Sequence, residues 1–180
     1  FSKQFPIVLK PLREYGGKGL LKISGNNCND GKEDYDTFTY LKTIEKELKK
    51  DGYLAMEFMY KVTEGDKRIL VVGGRIMASS LRLPAKDSWL CNVAQGGTSV
   101  AATSDPSEEA MIAAIAPKMK EEGILIYGVD TLMGNDGKRI LSEINTLSIG
   151  GFQNAQEQTG LPIIHITIHK MIEYANAQRG

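Results

Sequence analysis

The chain has 180 residues, 42% of them hydrophobic, and its 22 basic and 22 acidic side chains cancel to a formal net charge of zero. That length can bury a sizeable core and reads as one domain, or two closely joined lobes, while the neutral balance lacks the electrostatic footprint of a nucleic-acid binder. No apolar stretch approaches the ~18 residues of a membrane span, and the two cysteines, Cys28 and Cys91, form no CxxC, so a reducing, cytoplasmic setting is the simpler expectation. The opening FSKQFPIVLKP has neither an initiator Met nor a signal peptide, and it reads as the inside of a longer chain.

Taken in chain order, Phe5 to Leu9 is a short apolar strand that Pro11 should end. YGGKG (15–19) is a glycine loop, LLKIS a second strand, and GNNCNDGKED (25–34) turn chemistry throughout. Tyr35, Phe38, Leu41, Ile44 and Leu48 recur at helical spacing and predict one amphipathic helix with a lysine-rich outer face. Strands follow at 53–59, 68–72 and 75–81, the last two joined by Gly73-Gly74 as a two-residue hairpin, and WLCNVAQGG (89–97) reads as a strand entering a loop. Asp105, Pro106 and Glu108 form a helix start with a capping-box acid, and that helix runs to about Glu122 before Gly123. ILIYGVD (124–130) and KRILSEIN (138–145) are strands around GNDG, and a last helix starts near Pro162. The order predicts an α+β fold of mostly antiparallel sheet, with helices on one side of each sheet.

The hairpin around GNDG carries the first chemical signal. If Asp136-Gly137 is the turn pair, Asp130 faces Glu143 directly; if Asn135-Asp136 is, Glu143 is its diagonal neighbour. Either way Asp130, Glu143 and Asn145 share a face. Two carboxylates opposed across a strand pair repel, whereas a hard cation between them accepts both, together with an amide oxygen. A solvated face of ordinary surface acids is the plainer alternative, and the flanking Tyr127, Val129, Ile140 and Ile144 weigh against it.

Lys10 followed by YGGKG offers an ammonium and close backbone approach to phosphates. The order matches neither a Walker A loop nor the kinase pattern. Arg68 heads a strong strand, and the Gly73-Gly74 register puts Arg68 and Arg82 on opposite faces. His165 and His169 have a zinc-chelating spacing, but their isoleucine neighbours and Lys170 read as an ordinary boundary helix.

In order, FPIVLKPL, YGGKGL, GDKRILVVGGRI, LRLP, CNVAQGG, YGVD and EIN resemble the ATP-grasp ligases, and most closely the ATP-grasp domain of bacterial glutathione synthetase. The resemblance covers most of the chain. It implies one ATP-grasp domain over residues 1–180, with approximate lobes 1–60 and 61–180 and ATP held between two sheets. Lys10 would contact phosphates beneath a flap formed by Gly16, Gly17 and Gly19. Met56, Glu57, Phe58 and Met59 resemble the adenine hinge, with Leu141 packing on the base from the other lobe. Asp130, Glu143 and Asn145 match the family's Mg²⁺ ligands, with Mn²⁺ a possible substitute, and Arg68 and Asn92 match the residues beside the reacting groups.

The implied activity is ATP-dependent amide ligation through an acyl phosphate, with γ-glutamylcysteine and glycine as small-molecule substrates; a homo-oligomer is one option for the full-length protein, and the sequence does not fix its oligomeric state. Residues 1–180 alone are expected to be silent. A related ligase with another substrate is the alternative, and a non-catalytic ATP-binding module the rival outside enzymology. Leu90, Thr98 and the 146–153 loop stand where glutathione synthetases carry arginines or a different loop, near the acceptor end.

Overall fold

The computed structural model describes residues 6–178. Among these residues, ten strands form two five-stranded antiparallel sheets, accompanied by five α-helices.

The first sheet has the order β4-β3-β2-β1-β5. Its strands are β1 (Ile7–Pro11), β2 (Leu21–Ser24), β3 (Asn27–Asn29), β4 (Asp34–Asp36) and β5 (Tyr53–Glu57). Pro11 closes β1 as its sequence requires, while Phe5 lies outside the described residues. The segment read as turns throughout holds β3 and the start of β4. Cys28 explains why, since it is 2% exposed in a core with Ile7, Leu21 and Ile23 that draws this polar stretch into pairing.

The single predicted helix is two: α1 (Thr37–Thr43) and α2 (Glu45–Asp51), broken at Ile44. Thr43 Oγ1 turns back to Tyr40 O at 2.6 Å, a local bond that competes with the helical ladder. Asp36 caps α1 through Thr39 N, so Tyr35 falls in β4 and packs on Tyr40 instead of starting the helix.

The second sheet, in the order β10-β9-β6-β7-β8, has strands β6 (Asp66–Val72), β7 (Arg75–Leu83), β8 (Thr98–Ala102), β9 (Ile126–Met133) and β10 (Arg139–Asn145). Helix α3 (Pro106–Glu121) begins with the expected capping box between Asp105 and Glu108 and covers one face, packing its Ile112 over Ile69, Val71, Tyr127 and Val129. The opposite face is also covered at its β7–β8 end, by α4 (Phe152–Thr159) and α5 (Ile163–Ala177), whose Ala155 and Ile163 pack on Leu70 and Ala78. Helices on one side of each sheet therefore does not hold here. Helix α4 escapes notice because Ala155 is its one deeply buried residue and no side chain caps it.

The expected strand at 89–97 is a loop with a 3₁₀ turn at Val93–Gln95, and β8 follows it. Leu90 and Cys91 are each 4% exposed, so that apolar run fills a buried loop. Both cysteines are free and buried. His169 Nδ1 lies 3.3 Å from Glu173 Oε1 on an exposed helix face, and the described residues hold no cluster of three His, Cys, Asp or Glu suited to a metal. Nor is any described helix long and apolar enough to cross a membrane.

Two bulges decide which side chains face the first sheet. In the β6–β7 hairpin, Val71 pairs with Ile76 but Leu70 pairs with Ala78, so Met77 is an extra residue. This overturns the expected separation of Arg68 and Arg82: beyond Met77 the alternation is shifted by one, and the two arginines share a face. In the β9–β10 hairpin the loop is neither of the two-residue turns. Gly134 N bonds Lys138 O at 2.8 Å, leaving a three-residue loop whose Gly137 takes the left-handed conformation at φ +84°. That loop alone would send Glu143 to the face away from Asp130. Ser142 is extra in β10, and past it Glu143 pairs with Asp130.

One buried group in the α3 core lacks a partner. Tyr127 is 0% exposed and its hydroxyl accepts and donates no hydrogen bond among the described residues. Leaving a hydroxyl unpaired in an apolar core costs about 1–3 kcal/mol. Tyr127→Phe is therefore expected to stabilise the fold by about 1 kcal/mol, read as a higher urea midpoint at constant m-value. A lower midpoint would mean that the hydroxyl is satisfied.

Candidate active site

The sheets face each other across a cavity of about 510 Å³. On the β10-to-β8 sheet its floor is a set of cross-strand rows. One row reads Glu143, Asp130, Arg68, Ser80; the next reads Ile140, Leu132, Asp66, Arg82, Ser99; on the other side a row reads Asn145, Gly128, Leu70. Strand order thus lays out apolar wall, acids, guanidiniums and hydroxyls from one end of the cavity to the other.

The charges in these rows neutralise one another. Arg68 grips Asp130 with Nε and with Nη2, the latter at 2.6 Å from Oδ2. Arg82 grips Asp66 at 2.7 and 2.6 Å and reaches Asp130 Oδ2 at 3.0 Å. Burial alone would push the Asp130 carboxyl up, but hydrogen bonds and charge from the two arginines outweigh it and hold it below the ordinary carboxylate range. Asp66 goes the other way: burial outweighs Arg82 and raises its carboxyl. Asn145 Nδ2 donates to Asp130 Oδ2 at 3.3 Å, which leaves its carbonyl oxygen free to accept. Cys91 also lines the cavity, and burial pushes its thiol up to about 11, so it is an inert wall there.

The first sheet supplies the roof. Lys10 Nζ crosses the cavity to Glu143. Gly16 and Gly17 line it, and the flap rests on the 92–95 turn through Gln95 Nε2 to Gly16 O at 3.3 Å. Position 17 favours glycine, because the backbone has φ +78° and a Cβ there would lie 2.8 Å from Asn92 Oδ1. Gly19 packs against Pro11 and is not part of the lining. At the apolar end, Met56, Glu57, Phe58 and Met59 face Leu141. Phe58 is 6% exposed and gives its N–H to Pro6 O at 2.9 Å, so it serves as packing.

The structure therefore gathers Lys10, Gly16, Gly17, residues 56–59, Arg68, Asn92, Asp130, Leu141, Glu143 and Asn145 around one cavity. Three contributors were missed from sequence. Arg82 was placed on the wrong face. Asn135 looked like a turn residue, yet it pins the hinge, accepting from Tyr60 N at 2.9 Å and donating to Glu57 Oε1 at 2.8 Å. Trp89 stacks edge-on to Phe58 and donates to Asn29 Oδ1 at 2.7 Å. Leu90 also lines the cavity, Thr98 opens β8, and the 146–153 loop leads into α4 with Leu147 85% exposed.

Two antiparallel sheets closing on such a cavity define the ATP-grasp class, and solved ligases share the fold. A D-cycloserine synthetase superposes with TM-score 0.62 at 13% identity, over 92% of this chain and 56% of its own. The D-alanine–D-alanine ligase from Bacillus anthracis, in a complex with ATP, gives 0.61 at 14%, over 98% and 55%. Within that class, the chain belongs to the prokaryotic glutathione synthetase ATP-grasp domain family, whose sequence model matches residues 1–160. The glutathione synthetase of Rhodopseudomonas palustris is 31% identical over 95% of this chain and 50% of its own length. The chain thus spans about half the length of the curated relatives it matches.

Proposed function

We propose that this domain is the nucleotide-binding part of an ATP- and Mg²⁺-dependent carboxylate–amine ligase that works through an acyl phosphate, with γ-glutamylcysteine and glycine as the first substrate pair to test. The observation that carries this is the Glu143–Asp130–Arg68 row lying under Lys10 and the glycine flap. Its donor set fits a hard cation: two carboxylates and one amide oxygen, with side-chain cations now compensating the charge a metal would meet. Family membership and the ATP-bound ligase of the same fold support ATP as the nucleotide.

Asp130, Glu143 and Asn145 would hold Mg²⁺ or Mn²⁺, which would supply charge neutralisation at the phosphate oxygens. Lys10, leaving Glu143, pairs with the phosphates. Backbone N–H groups of Gly16 and Gly17 close over them. Met56, Met59 and Leu141 hold the base between apolar walls. Arg68 orients the substrate carboxylate, one oxygen of which attacks the γ-phosphorus while the P–O bond to ADP breaks. Asn92, beneath the flap, orients the acyl group. An amine then attacks the acyl carbon, the C–O bond to phosphate breaks with its electron pair, and the amine's lost proton ends on phosphate. Positioning and charge neutralisation supply the catalysis, and no protein nucleophile is needed. Buried, unpaired Cys28 and Cys91 support a cytoplasmic setting.

Lys10→Met in the full-length protein is expected to weaken binding of Mg²⁺ with a non-hydrolysable ATP analogue by about tenfold or more, as the loss of one charge-assisted contact of about 1.5–3 kcal/mol implies. Titration calorimetry reads this directly. Unchanged affinity would remove Lys10 from the nucleotide site and the reading with it.

A further inference from the structure

At the apolar end of the cavity a side chain from the second sheet braces the first, at a point where the first cannot complete its own ladder. Phe58 gives its N–H to Pro6 O at 2.9 Å, which continues the pairing of β5 with β1. In an antiparallel pair the partner residue would return its own N–H. Proline has none, so Pro6 leaves Phe58 O without that bond. Asn135 stands in. Its Nδ2 lies 3.4 Å from Phe58 O and 2.8 Å from Glu57 Oε1, and its Oδ1 accepts from Tyr60 N at 2.9 Å. The Tyr60 N–H fixes which way the amide points, because it can bond only to the oxygen.

Asn135 is itself held. Its loop is closed by Gly134 N to Lys138 O at 2.8 Å, and Asp136 Oδ1 accepts from Lys138 N at 3.0 Å. A short pinned loop of one sheet thus reaches the last strand of the other.

The brace bears on what the hinge shows to the cavity. Along an extended chain, successive residues turn their backbone groups to opposite sides. Phe58 faces β1, so Glu57 and Met59 face the outer edge of β5, where no further strand pairs among the described residues. Met59 keeps extended backbone at φ −86° and ψ 106°, and no described residue accepts its N–H. Both residues line the cavity. Glu57 C=O and Met59 N–H therefore stand as an acceptor and a donor at the apolar wall. That pair suits an amino group beside a ring nitrogen, which is the edge of adenine. Guanine presents a carbonyl beside a ring N–H, the reverse order.

We infer that Asn135 is a positioning residue for the base. By engaging Phe58 O, Tyr60 N and the Glu57 carboxylate, it keeps Glu57 C=O and Met59 N–H aimed at the cavity and so sets the preference for adenine. Without it the hinge would have to be ordered at the moment of binding, at a cost in affinity. The inference rests on the nucleotide reading of this cavity.

Non-hydrolysable analogues of ATP and GTP share ribose and phosphates, so their ratio isolates the base. Competition calorimetry with Mg²⁺ on the full-length protein reads both. Asn135→Ala, at an exposed loop position, is expected to weaken the ATP analogue about fivefold or more and to leave the GTP analogue within about twofold. Asn135→Asp sets two carboxylates against each other at Glu57 and should lower the ratio likewise. Adding Glu57→Gln turns donor and acceptor round, and most of the ratio should return. A ratio that Asn135→Ala leaves intact, affinities for both analogues that fall together, or a double variant no better than Asn135→Asp would each overturn the inference. Native protein that binds neither analogue would remove the nucleotide reading with it. Native protein that prefers the ATP analogue, with Asn135→Ala unchanged, would remove the inference alone.

Discussion

Glu143→Gln is expected to lower Mg²⁺-dependent ATP turnover on the order of a hundredfold, the loss typical when one preorganised charge at a reacting phosphate is removed, while the fold barely notices. Glutamine keeps the shape of Glu143 but gives a hard cation one neutral oxygen where it had a charged one. On the folding side, opposition to Asp130 suggests relief of repulsion. The structure removes that gain, because Asp130 is already neutralised by Arg68 and Arg82, and Glu143 is paired with Lys10. The side chains of that last pair are 27% and 37% exposed, so its loss should cost no more than about 1 kcal/mol. Steady-state turnover across a Mg²⁺ titration, beside a denaturation curve, separates the two effects. Full turnover at limiting Mg²⁺ would move the metal elsewhere.

Glu108→Ala should do the reverse, destabilising the fold by about 3–5 kcal/mol, as breaking one side of a buried ion pair does. Glu108 is 0% exposed on the inner face of α3 and meets Lys67 Nζ at 2.5 Å, Thr131 Oγ1 at 2.7 Å and the Asp105 N–H at 3.0 Å. Alanine would leave Lys67, itself 8% exposed, with only Thr103 O. Urea denaturation gives the loss. Lys67→Met combined with Glu108→Leu should recover most of it, since apolar replacement of a buried pair is often neutral or stabilising. A single variant as stable as the native protein would show that water reaches Lys67. The pair also bears on the site, because Lys67 and Thr131 are the chain neighbours of Arg68 and Asp130 on the opposite sheet face.

Much of this was legible as residue type and period. The Asp105–Glu108 capping box forms as read, and Lys10, the glycine loop, Asp130, Glu143 and Asn145 line one cavity. What stayed hidden depends on single-residue offsets and on tertiary pull. Asp130 and Glu143 do meet, but by a three-residue loop corrected by a bulge, and neither considered turn contained it. Arg82 was misplaced because a perfect hairpin is the only pairing that Gly73-Gly74 announces. Cys28 in a strand and Asn135 on the hinge take their roles from partners distant in sequence, Ile7 and Glu57 among them.

The extra residues at Met77 and Ser142 bear on how this chain tolerates changes in length. Deleting Met77 would remove the bulge and leave the pairing: Ile76 stays on Val71, Ala78 on Leu70, and Ser80 and Arg82 still face the cavity. Deleting Ser142 would likewise leave Glu143 opposite Asp130 and Asn145 opposite Gly128. Point substitution at either position keeps the pairing too, so both sites should accept many side chains and a one-residue gap.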